Sequence, residues 1–102
     1  MMEQHTIKLE EIKKVLKENK TILSNEFKIK EIGLFGSYLR DEAKEDSDID
    51  VLVEFNKTVG LLEFIALENH LSDTLGIKVD LVMKSALKPR IGRHILEEVV
   101  YL

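Results

Sequence analysis

A chain of 102 residues has the length of one domain, and 44% hydrophobic with 33% charged residues is ordinary for a soluble globular protein with a small core. A net charge of −4 argues against strong nucleic-acid binding, and the absence of cysteine excludes disulfides, thiolate metal sites and a cysteine nucleophile. No apolar run approaches a membrane span and the N-terminus lacks a signal-peptide pattern, so a cytoplasmic protein without a membrane partner is expected.

The spacing of Leu9, Ile12, Val15 and Leu16 predicts an amphipathic helix over 6–19, and a short helix is expected from Thr21. Ile32 and Leu34 then alternate with Gly33 and Phe35, the pattern of a short strand. Gly36-Ser37 ends it. Gly36 lets the backbone come close to a ligand, and Ser37 suits the cap of a helix over 37–44. Free backbone N–H groups at a helix start, with the positive end of its dipole, form a seat for phosphate. Arg40, one turn on, is placed to reach outer phosphates.

Residues 48–53 have strand composition. Side chains alternate faces along a strand, so Asp48 and Asp50 share one face while Ile49, Val51 and Val53 share the other. Their Cα atoms are then roughly 6.5–7 Å apart. Two carboxylates that close repel each other unless a cation intervenes, and Mg²⁺ takes one or two carboxylates together with substrate phosphates. Residues 56–60 form a polar connection. A long helix is predicted over 61–75 with Leu61, Phe64, Ile65, Leu71 and Leu75 as its core face, stopped by Gly76. A strand over 77–83 follows, with Ile77, Val79, Leu81 and Met83 on its apolar face and Asp80 on the other. If it lies beside the Asp48 strand, three carboxylates converge on one patch, enough for a two-metal site acting on phosphorus. Pro89 suits the opening of a last helix carrying Ile91, Ile95 and Leu96, and residues 99–102 suit a short final strand.

Other polar residues carry less. Lys13, Lys14, Lys17 and Lys20 read as a solvated helix face; Lys84, Lys88, Arg90 and Arg93 read as another, or as a surface for a triphosphate or an acidic partner. His5, His70 and His94 group neither with one another nor with the aspartates. Tyr38 reads as a packing residue, with exposure beside a bound nucleotide as the alternative.

Gly36-Ser37, ten intervening residues and Asp48-Ile49-Asp50, followed by Asp80 on a later strand, resemble the minimal nucleotidyltransferases of the DNA polymerase β-like superfamily. The resemblance spans roughly residues 29–102, and Arg40 and Ser47 fit the commoner extended motif. Leu39 and Asp41 stand where members often carry Ala and Gly. The resemblance implies catalysis by Asp48, Asp50 and Asp80 with two Mg²⁺ ions, and nucleotide binding by Gly36, Ser37, Arg40 and Ser47. Minimal chains of this kind are typically paired with a helical HEPN-type ribonuclease toxin. The resemblance therefore implies an antitoxin that transfers AMP from ATP to a tyrosine of that partner. The alternatives are an antitoxin that acts by covering its partner without catalysis, and a small-molecule transferase of the antibiotic-modifying kind.

The expected architecture is a single α+β domain over 1–102, with a small mixed sheet and helices mainly on one face. Ser37 and Asp48 can serve one site only if the first strand ends where the second begins, which makes that pair antiparallel. The site is expected on the sheet's other face and edge, open to solvent.

Overall fold

The computed structural model describes residues 8–36, 38–39 and 48–102, and of Ile91 the backbone alone. The expected helix over 37–44 lies largely outside these residues, as do Ser37, Arg40, Ser47 and His5.

Helix α1 (Leu9–Glu18) places Glu10 and Glu11 in its first turn and Lys17 in its last, each matched to the helix dipole. Its predicted stripe buries Ile12 and Leu16 fully, with Leu9 and Val15 packed at the margin. Asn19 ends it by donating its side-chain amide to the Val15 carbonyl at 2.8 Å. Helix α2 (Lys20–Phe27) buries Leu23 and closes on Lys28, whose φ of 60° turns the chain into the sheet. Strand β1 (Ile29–Phe35) begins three residues earlier than alternation alone indicates, because Ile29 also enters the core.

The sheet order is β3-β2-β1-β4. Strand β2 (Ile49–Phe55) runs antiparallel to β1, with Leu34 opposite Val51 and Phe35 opposite Asp50. Helix α3 (Leu61–Leu75) then carries the chain over to β3 (Val79–Met83), which lies parallel to β2 with Asp50 beside Asp80. A single 3₁₀ turn (Lys84–Ala86) leads to α4 (Pro89–Glu98), which opens on its proline as expected. The short β4 (Val100–Tyr101) completes the sheet against the far edge of β1, with Val100 opposite Leu34.

Two sequence expectations are corrected at α3 and at the sheet. The buried stripe of α3 is Leu67, Leu71 and Leu75 with Phe64 beside it, whereas Leu61 is 72% and Ile65 41% exposed. At 3.6 residues per turn, Leu71 falls between Leu67 and Phe64 on the inward side and Ile65 is carried round to the solvent side. The second correction concerns the expected open face. Ile32, Leu34, Ile49, Val51, Val53, Val79 and Leu81 point into the core made with α1, α2 and α3. Leu52 and Phe35 point to the opposite face, yet Leu52 is fully buried and Phe35 nearly so. The C-terminal segment returns onto that face: a Cβ at Gly33 would lie 2.6 Å from the Val99 side chain, so glycine is what allows this approach.

β3 is an edge strand, and α3 covers the edge. Ser72 Oγ accepts the Val79 N–H at 3.0 Å, and Glu68 Oε2 accepts the Leu81 N–H at 3.0 Å. Backbone donors that would otherwise recruit another strand are thereby satisfied.

Candidate active site

Three chain segments meet at the end of the sheet where β1 stops and β2 and β3 start. The antiparallel register carries Phe35 to Asp50, so the turn that follows β1 lies on the Asp50 side chain. Gly36 has φ of +87°, and a Cβ there would fall onto the Asp50 carboxylate, with Asp50 Cγ only 2.9 Å away. Both facts demand glycine: the left-handed backbone and the space taken by Asp50. The Leu39 N–H donates to the Gly36 carbonyl at 3.1 Å, closing a tight turn.

Asp50 and Asp80 are side-by-side partners on parallel strands, as their shared phase predicts. Asp48 immediately precedes β2, and the Lys78 ammonium lies 3.9 Å from its Oδ2. Among the described residues no three His, Cys, Asp or Glu side chains form a ready metal-binding group. The donors are nonetheless all hard carboxylate oxygens, and a cation already sits against Asp48 in the form of Lys78. That chemistry fits Mg²⁺ delivered with phosphates, which needs only one or two protein carboxylates, better than an all-protein cage.

One site residue escaped the sequence reading. Glu98, the last residue of α4, accepts the Gly36 N–H on its Oε2 at 3.2 Å. This N–H is one of those expected to face phosphate. The contact joins residues 62 positions apart, and an acidic residue closing a helix carries no local signal of it.

Tyr38 is buried in the core cluster, as the packing reading has it, and burial raises its phenol above the ordinary value. His70 stacks on Phe27 with ring centroids 5.0 Å apart, and His94 is exposed on α4. Pro89, Arg90, Arg93 and His94 line a cleft of about 520 Å³. Lys84 is engaged elsewhere, lying 3.4 Å from Glu31, 3.8 Å from Glu54 and over the Tyr101 ring. A hydrogen bond to Tyr101, aided by Glu31, holds its ammonium above the ordinary lysine value. No described helix is long and apolar enough to cross a membrane.

Comparison with known proteins agrees with this fold. The protein adenylyltransferase MntA of Thermococcus cleftensis is 54% identical over 94 residues, covering 92% of this chain and 95% of that protein. A solved structure of a candidate minimal nucleotidyltransferase superposes with a TM-score of 0.81 at 32% identity, over 94% of this chain and 97% of that one. A chain from a solved complex of tri-AMPylated Shewanella oneidensis HEPN toxin with MNT antitoxin matches at a TM-score of 0.61 and 28% identity, over 84% of this chain and 68% of that one. A family model described as a nucleotidyltransferase domain matches residues 9–102. With the glycine turn packed on Asp50 and with Asp80 beside it, the match over almost its whole length means that the chain belongs to the nucleotidyltransferase domain family.

Proposed function

We propose that the chain is the antitoxin of a toxin–antitoxin pair and transfers AMP from ATP to a tyrosine hydroxyl of a HEPN-type toxin. The observation that carries this reading is the packing of Gly36 on Asp50, with Asp80 in register beside it. It pairs a close-approach backbone turn with carboxylates, which is what a polyphosphate and its counter-ions require. The relatives' names support the acceptor class: one is called a protein adenylyltransferase, and the related solved complex holds an AMPylated HEPN toxin.

In this reading the acceptor oxygen attacks the α-phosphorus, the bond to the β-phosphate oxygen breaks and pyrophosphate leaves. Gly36, Ser37, Ser47 and Arg40 hold the phosphates. Asp80, exposed and next to Asp50, would help lower the pKa of the incoming hydroxyl, through a bound metal or directly. Asp48 and Asp50 would hold two Mg²⁺ ions with the triphosphate, with Asp80 completing the shell of one. Such ions supply neutralisation of the charge on the attacking and leaving oxygens. The 102 residues act as one domain in the cytoplasm, and the toxin presents its own nucleophile.

Incubation with the toxin and ATP labelled at either the α- or the γ-phosphorus tests the reaction class. Label is expected on the toxin from the α position only. Transfer of γ label would make the protein a kinase, and transfer of neither would leave an antitoxin that acts by binding.

A further inference from the structure

We infer that Glu98 sets nucleotide affinity by competing with a phosphate oxygen for the Gly36 N–H. The inference rests on the nucleotide-binding reading of the Gly36 turn. A carboxylate oxygen and a phosphate oxygen are both anionic acceptors, and one N–H cannot serve both at full strength. Glu98 Oε2 holds that donor at 3.2 Å, on the same glycine that packs against Asp50. A triphosphate arriving there meets a further carboxylate besides those that its counter-ions neutralise.

Glu98 is held at this place by its neighbours. Val99 packs on Gly33, and the Leu102 N–H bonds the Ile32 carbonyl at 3.0 Å, fixing the chain directly after α4 on β1. Withdrawal is therefore a side-chain rotation, with the backbone left in place. His94 lies one turn back on the same side of α4 and lines a cleft with Arg90 and Arg93, a cationic surface near which a displaced carboxylate can settle. Glu98 is a positioning residue: it acts on the turn, and the turn acts on the nucleotide.

The test is calorimetric titration of ATP with Mg²⁺, and separately of inorganic tripolyphosphate, into the native chain, Glu98→Gln and Glu98→Ala. Glutamine keeps an acceptor for Gly36 but removes the charge, so it guards against simple loss of structure. Hydrogen bonds to charged groups are typically worth about 1.5–3 kcal/mol, so both variants are expected to bind ATP roughly tenfold more tightly or better. The Gly36 amide signal in nitrogen–proton spectra is expected to shift on Glu98→Gln substitution and on addition of ATP to the native chain. Equal affinity in all three proteins, or weaker binding in the variants, overturns the role of Glu98 and leaves the nucleotide site standing. Failure of all three to bind either ligand overturns the nucleotide reading and this inference with it.

Discussion

Gly36 and Asp50 are the residues on which the proposed site turns, and the roles proposed for them rest on space and charge. A Cβ at Gly36 meets the Asp50 carboxylate and also demands an L residue at φ of +87°. Gly36→Val is therefore expected to cost about 1–3 kcal/mol of stability from backbone strain alone, and to abolish measurable ATP binding by calorimetry. Asp50→Asn changes charge with little change of shape. It is expected to lower AMP transfer by roughly 10³-fold while leaving the melting temperature within a few degrees of native. Full activity in that variant would remove Asp50 from the chemistry. The spacing of Gly36, Asp48, Asp50 and Asp80 was legible in the sequence because strand periodicity determines which side chains share a face. Glu98 was not legible, because its contact with Gly36 depends on how α4 returns over the sheet. Lys78 beside Asp48 is similar: its proximity exists only because β3 starts next to β2.

Among the elements, the strands and helices over 48–102 follow the periodicity closely, and the parallel pairing of β2 with β3 is what brings Asp80 to Asp50. Periodicity did not reveal which side of α3 would be inward, since Leu61, Phe64, Ile65, Leu71 and Leu75 are all apolar and only packing separates them. The cover that Glu68 and Ser72 give the β3 edge was equally hidden. Glu68→Ala removes the acceptor of the Leu81 N–H and is expected to destabilise the fold by about 1–2 kcal/mol in urea, with Glu68→Gln recovering most of it. His70 offers the opposite case. Its Nε2 is buried without a hydrogen-bond partner among the described residues, and its ring already lies on Phe27. His70→Phe is expected to raise stability by about 1 kcal/mol, and a loss would reveal a partner for that nitrogen. Lys84 ties the turn after β3 to β1, β2 and Tyr101. Because folding favours its charged form, its contribution is complete below the ordinary lysine value of 10.5 and is lost as pH rises through the raised value. Lys84→Met should flatten the alkaline fall in melting temperature.

At the scale of the whole molecule, the described residues form a nucleotidyltransferase fold whose proposed site lies at one end of the sheet. In the proposed function the toxin brings its acceptor tyrosine with it. Positioning of two reactants accounts for roughly 7–11 kcal/mol of a barrier, so the chain alone should turn over ATP very slowly. Intact mass spectrometry of the toxin, after incubation with this chain, ATP and Mg²⁺, tests that account most directly. The predicted result is a mass increase of one or more AMP units on the toxin, none on this chain, and no increase with the Asp48→Asn, Asp50→Asn double variant. An unmodified toxin that both the native chain and the double variant neutralise equally well would contradict it.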